Sequence, residues 1–94
     1  MLHTVKHSPF GHHGLEQALH HMQPDDHLVL WQDGVIAATL PAWQPRLQPL
    51  ADAGRLHVMS EDLAARGLEP IMGKVLTMAG LVELVVEQGS PTAW

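Results

Sequence analysis

Four short apolar runs recur along the chain, and a segment that favours helix follows each of them. The runs are Leu2–Val5, Leu28–Trp31, Leu56–Met59 and Val75–Met78. Runs of this length favour strands, and an uninterrupted apolar run such as Leu28–Trp31 fits a strand buried on both faces. Strands that alternate with helices pair mostly in parallel through right-handed crossovers. The sequence therefore predicts an α/β fold over residues 1–94: a single small domain with a mostly parallel four- to five-stranded sheet and helices on both faces.

The segments between the runs differ in how clearly they predict helix. Apolar residues such as Leu15 and Ala18 recur at helical spacing in the first segment. Ser60 is expected to cap the third helix, and Gly67 is expected to end it in a left-handed conformation. Prolines prevent one regular element from spanning residues 35–49. The predicted helices cover residues 12–22, 44–53, 60–66 and 81–88, with a turn or two of helix over residues 35–40.

Composition limits the classes of function. The chain has 46% hydrophobic residues, enough for a core with some left over for an interface. Its net charge is −5 and its cations are scattered singly, which argues against direct binding of RNA or DNA. It has no cysteine, so disulfides, thiolate metal sites and covalent sulfur chemistry on this chain are excluded. Without a signal peptide or an apolar run of about 20 residues, it is expected to be cytoplasmic and away from membranes.

Asp33 and Gly34 follow the most apolar predicted strand. Parallel sheets place their sites at this end of the strands, so a small enzyme using Asp33 and a nearby histidine is one interpretation. Turn chemistry is the favoured one, in which Asp33 binds local backbone amides and Gly34 adopts a positive φ.

Histidines are abundant, with eight in the chain. A zinc or nickel site would need three or four of them to converge, and neither an HExxH pattern nor a matched Cys/His pattern is present. Exposed histidines on a solvated helix face are the favoured interpretation, with a metal-binding protein as the alternative. The candidate ligands on the first helix are His12, His13, His20 and His21.

Exposed apolar and aromatic residues are the candidates for a partner interface. Large aromatics often anchor interfaces, because they bury much area with few rotamers to freeze. Trp94 fits either this role or that of a cover over the edge of the protein's own core. The predicted interface residues are Phe10, Val82, Val86 and Trp94.

Several segments together resemble one family. Met1–Val5 with His7–Phe10 is similar to the amino-terminal signature of the TusB/DsrH family. Leu28–Val35 resembles the family's apolar strand that ends in Gln-Asp-Gly-Val, and Glu61–Leu68 resembles its Glu-Asp-Leu-x-Ala-Arg-Gly-Leu helix. A terminal Ala-Trp pair at 93–94 also fits. The motifs occur in order along the whole chain, which makes the combined resemblance specific.

The resemblance implies a DsrEFH-like fold and a place in a heterohexamer with TusC-like and TusD-like subunits. Such a complex passes persulfide sulfur toward 2-thiolation of the wobble uridine of certain tRNAs, so its link to tRNA is indirect. A related complex serves dissimilatory sulfur oxidation, which is the alternative. Because this chain has no cysteine, the resemblance implies a non-catalytic subunit without a cofactor, with the sulfur-carrying cysteine on the TusD-type partner.

Overall fold

Five strands form one sheet in which all neighbouring strands are parallel. A computed structural model describes residues 1–94 and gives the strand order β4-β3-β2-β1-β5. The strands are β1 (Leu2–Val5), β2 (His27–Leu30), β3 (Leu56–Met59), β4 (Lys74–Leu76) and β5 (Thr92–Ala93). The predicted α/β fold with a parallel sheet is therefore confirmed. The two-residue β5, which pairs with His3 and Thr4 of β1, was not identified as a strand from the sequence.

Four α-helices and two 3₁₀ segments connect the strands. The helices are α1 (Gly14–His21), α2 (Gln44–Asp52), α3 (Ser60–Ala65) and α4 (Met78–Gln88). The 3₁₀ segments cover Gln32–Thr39 and Pro41–Trp43, in the proline-rich region where a turn or two of helix over residues 35–40 was predicted. None of the helices is both long and apolar enough to span a bilayer.

The helices pack on both faces of the sheet, but unequally. Most of the core lies on one face, called here the first face, where α1, α2, α3 and the longer 3₁₀ segment contribute Leu15, Leu47, Leu63 and Val35. On the second face, α4 contributes Leu84 to a smaller cluster with Leu2, Val29, Met59 and Leu76. The middle of β2 is fully buried because its side chains enter both clusters, as the apolar run predicted.

The boundary between β4 and α4 differs from the predicted one. The strand ends at Leu76, and the helix begins at Met78 rather than at Leu81. The Thr77 side-chain oxygen accepts a hydrogen bond from the Gly80 N–H at 3.2 Å and caps the helix. The strand prediction for Met78 was wrong because this cap interrupts the apolar run after Leu76.

The predicted cap of α3 is also wrong. Ser60 is the first residue of the helix, the N-cap position is Met59, and no side chain caps the helix. The Ser60 hydroxyl instead donates to Glu61 Oε1 at 3.0 Å. Strand β3 continues directly into α3, so the cap position falls on the last strand residue. At the other end, Gly67 has a φ of 62°, as predicted for a helix stop.

Candidate functional site

The turn after β2 is held against the end of β1 by backbone contacts. The Gly34 N–H donates to the Lys6 carbonyl at 3.1 Å and to the Trp31 carbonyl at 2.9 Å. A Cβ on Gly34 would lie 2.3 Å from the Val5 carbonyl oxygen. Gly34 is therefore required for this close approach. The positive φ predicted for it is wrong, since Gln32 adopts that conformation with a φ of 48°.

Asp33 joins this turn to the end of α3. Its Oδ1 accepts from Arg66 Nε at 3.0 Å and lies 2.9 Å from Arg66 Nη2. Arg66 Nη1 also donates to the Asp62 carbonyl at 3.1 Å. The expectation that Asp33 binds local backbone amides was wrong, because the Asp33 carboxylate instead pairs with the Arg66 guanidinium. The ion pair with Arg66 orients the turn. It gives no support to the interpretation of an enzyme that uses Asp33 and a histidine.

Trp94 packs on the protein's own fold. Its indole Nε1 donates to His3 Nδ1 at 3.0 Å, so the His3 proton lies on Nε2 and is directed to Asp26 Oδ2 at 2.8 Å. Both His3 and Asp26 are buried. Burial alone would raise the pKa of Asp26, but hydrogen bonds from the Gln23 N–H and His3, together with the Met1 ammonium group, lower it to about 2.

The helix histidines do not converge. No group of three His, Cys, Asp or Glu side chains has an arrangement that could hold a metal ion. His12 Nδ1 accepts from the Gly14 N–H at 2.9 Å, and its ring stacks on His7 at 4.0 Å. His21 instead packs 4.9 Å from the Trp94 ring. These contacts give no geometric support to the metal-binding alternative.

A pair of histidines that the sequence did not suggest lies on the second face. His27 Nδ1 and His57 Nε2 are 2.9 Å apart, and the two rings are stacked at 5.2 Å. They line an open cleft beside α4, together with Lys74, Glu83 and Glu87. Their positions 30 residues apart in the chain gave no local pattern that could have revealed the pair.

The hydrogen-bond partners of the pair identify its tautomers. His57 Nδ1 is buried and has no partner. A buried unpaired N–H costs free energy, so the His57 proton lies on Nε2 and is donated to His27 Nδ1. Burial, together with the charges of His27 and Lys74, lowers the pKa of His57 to about 4. Burial and the nearby Arg55 also lower the pKa of His27.

The outer face of α4 carries three exposed large apolar side chains, more than any other helix. Met78, Val82 and Val86 are 57%, 58% and 80% exposed and recur every four residues, so they share one flank of the helix. Glu83 and Glu87 form the neighbouring flank, also at a four-residue spacing. An apolar flank beside an acidic one is an arrangement that can bind the surface of another protein.

The other two predicted interface residues lie elsewhere. Phe10 is 77% exposed and lies in the loop between β1 and α1 rather than on α4. Trp94 is only partly buried, and its backbone N–H donates to the Thr4 carbonyl at 2.9 Å in the sheet. The structure thus places Val82 and Val86 together on α4, and Phe10 and Trp94 on other parts of the fold. A role in partner contact stays a prediction for all four residues.

The fold and these surfaces define a class of protein: a small α/β domain with a parallel sheet, an ion-paired turn at the carboxyl edge and an exposed apolar helix flank. Within that class, the model of the DsrH-like protein family matches residues 7–90. The chain therefore belongs to the DsrH-like family, as its motifs suggested.

Curated relatives agree with this assignment over the full length. Protein TusB of Pectobacterium parmentieri is 40% identical over 97 residues, and Protein TusB of Pectobacterium atrosepticum is 36% identical over 97 residues. Protein TusB of Yersinia pestis (strain Pestoides F) is 35% identical over 100 residues. In each case 100% of both chains is covered. The resemblance to the TusB/DsrH family is thus confirmed.

Proposed function

We propose that the protein is a non-catalytic, cytoplasmic subunit of a TusBCD-like sulfur-relay complex. Its partners in the heterohexamer are TusC-like and TusD-like subunits, and the complex supplies persulfide sulfur for 2-thiolation of the tRNA wobble uridine. The observation that carries the proposal is the full-length similarity to proteins named TusB in a chain that contains no cysteine.

Sulfur-transfer chemistry explains why the missing cysteine matters. In each step a cysteine thiolate attacks the terminal sulfur of a persulfide, forms a new persulfide and releases the donor thiolate. None of the 94 residues can supply that thiolate. The subunit therefore contributes surface, stability and electrostatic environment, and the TusD-like partner carries the sulfur.

Co-expression with the TusC-like and TusD-like proteins of the same genome tests the assembly. The protein is expected to co-purify with both. Exposure to a donor persulfide that carries labelled sulfur should label the TusD-like subunit and leave this chain unlabelled. Failure of the wild-type protein to bind either subunit would overturn the proposal.

A gene deletion tests the pathway. Deletion should lower the 2-thiouridine content of the affected tRNAs, measured by mass spectrometry of their nucleosides, and the intact gene should restore it. Unchanged thiouridine with lost growth on reduced sulfur compounds would instead support the sulfur-oxidation alternative.

A further inference from the structure

The second face of the sheet is covered by α4 alone. Five strands at about 4.8 Å spacing make a sheet about 19 Å wide between its outer strands, whereas one helix is about 10 Å across. On the first face, three helices and the 3₁₀ segments share the same width. Helix α4 nevertheless buries the centre of this face, where Leu2, Val29 and Met59 are at most 2% exposed. The exposed strand residues on this face are Lys74 of β4 and Ala93 of β5, at its two edges.

The exposed flank lies on the side of α4 that does not pack on the sheet, since Leu84 is the buried residue of this helix. Met78 and Val86 are eight residues apart, so the apolar flank is about 12 Å long at 1.5 Å per residue. All three of its side chains are more than half exposed, and Val86 is 80% exposed. Isolated exposed apolar residues are ordinary, but three in one row make a continuous apolar surface.

The charged side chains of α4 itself have one sign. Helix α4 carries Glu83 and Glu87 and no Lys or Arg. Two cations lie near the helix: Lys74 lines the neighbouring cleft, and the Met1 ammonium nitrogen is 3.4 Å from Gln88 Oε1 at the end of α4. Because Glu83 and Glu87 adjoin the apolar flank and the chain has a net charge of −5, a partner with positive charges is favoured.

We infer that the outer face of α4 docks an apolar surface bordered by lysine or arginine side chains, on a protein of different sequence. The identity of that protein as the TusC-like or TusD-like subunit rests on the proposed function. A second copy of this chain fits poorly as the partner. In a two-fold symmetric dimer formed through α4, the same patch of each copy would face the other. An antiparallel pair of these helices places Glu83 and Glu87 of one copy beside those of the other, and such like charges repel.

The apolar contribution is tested with the complex purified from co-expression. The double variant Val82→Ser/Val86→Ser is expected to bind the partner subunits about tenfold more weakly or worse, measured by calorimetry. Ile71→Ser is the matched control, since Ile71 is a 47% exposed apolar residue outside α4, and its affinity should stay within about twofold. Circular dichroism should show both variants folded, because the altered side chains are exposed.

The charge contribution has its own variant. Glu83→Lys/Glu87→Lys should slow association and weaken binding, and the loss should shrink as salt is raised. Asp52→Lys on α2, another exposed carboxylate, is the control and should leave the association rate unchanged within about twofold. Faster association of the α4 charge variant would mean an acidic partner surface and would contradict the inference.

The outcomes separate this inference from the proposed function. If the wild-type protein binds the TusC-like and TusD-like subunits and Val82→Ser/Val86→Ser binds them equally well, the inference fails and the proposed function stands. If the wild-type protein binds neither subunit, both fail. If the isolated protein is a dimer at micromolar concentration by analytical ultracentrifugation, and Val82→Ser/Val86→Ser makes it a monomer, α4 docks a second copy instead.

Discussion

At the scale of single residues, a neighbouring backbone atom makes glycine necessary at position 34. The Val5 carbonyl oxygen occupies the space that a Cβ would need, at 2.3 Å. A backbone atom cannot move aside as the end of a flexible side chain can. The turn after β2 and the end of β1 would have to separate to admit even a methyl group.

Gly34→Ala is therefore expected to lower the free energy of unfolding by about 1–3 kcal/mol, measured by urea denaturation. Gly11→Ala is the matched control, because a Cβ there would meet nothing within 4 Å and its φ is not positive. The control should be neutral or slightly stabilising, since alanine restricts the unfolded chain. Equal stability of the two variants would contradict the role of Gly34.

The paired histidines of the second face make stability depend on pH. The pKa of His57 lies at about 4 in the fold, below its ordinary value of 6.5, because burial disfavours the charged ring. The unfolded chain therefore binds a proton at a higher pH than the folded chain does. Stabilisation by neutral His57 is complete above about pH 6.5 and is lost as the pH falls from 6.5 toward 4.

The melting temperature should fall over this pH range in the wild-type protein, measured by circular dichroism. His57→Gln should flatten the dependence, whereas His13→Gln, which changes an exposed histidine, should leave it as it is. A profile that is as steep in His57→Gln as in the wild type would exclude the pair as its source. The loss of stability that remains below about pH 4 is assigned to Asp26. Its pKa is lowered in the fold, so it stabilises the fold only while its carboxylate is charged.

At the scale of elements, the start of α4 depends on one side chain. Thr77 caps the helix, and α4 is the element that packs on the second face. Without the cap, the first turn has amide protons with no partner in the fold.

Thr77→Ala is expected to destabilise the protein by about 1 kcal/mol, and Thr77→Ser, which keeps the hydroxyl, should cost much less. Chemical denaturation measures both. Hydrogen exchange should show that the lost protection of amide protons lies in the first turn of α4. A uniform loss of protection across the sheet would contradict a local capping role.

The elements differ in how far the sequence could predict them. Strands β1, β2 and β3 were found to within a residue or so, because each is a short run rich in aliphatic residues and bounded by turn residues. Only β1 and β3 also bury histidines, His3 and His57. The end of β4 was missed, since Leu76, Thr77 and Met78 extend an apolar run across a helix cap. The 3₁₀ segment over Gln32–Thr39 has no periodic pattern of its own, and tertiary packing of Val35 and Ala38 sets its form.

At the scale of the whole molecule, the contacts that build the candidate sites join distant parts of the chain. Asp33 and Arg66 are 33 residues apart, and His3 and Trp94 are 91 apart. Two of the motifs that carried the family resemblance, Leu28–Val35 and Glu61–Leu68, thus meet through an ion pair that neither motif reveals alone. Sequence patterns identify such residues separately, but only the strand order shows which of them are neighbours.

The placement of Trp94 predicts that it stabilises the protein's own fold. Trp94→Ala should lower the free energy of unfolding by about 1–3 kcal/mol, because it removes the ring packing and leaves His3 Nδ1 without its donor. Trp94→Phe keeps most of the packing and should recover part of the loss. Chemical denaturation gives both values, and unchanged stability with lost partner binding would instead make Trp94 an interface residue.

The contact between Trp94 and the histidine rings has an optical consequence. The chain has three tryptophans and no tyrosine, and Trp94 is the one stacked with histidines, at 4.9 Å from His21 and 6.1 Å from His3. Indole emission shifts to longer wavelength when the ring leaves a packed environment for water, and detachment of β5 would remove Trp94 from its packing against the core. The intrinsic fluorescence of the protein therefore contains a built-in signal for detachment of β5, which stopped-flow measurements can follow without an attached dye.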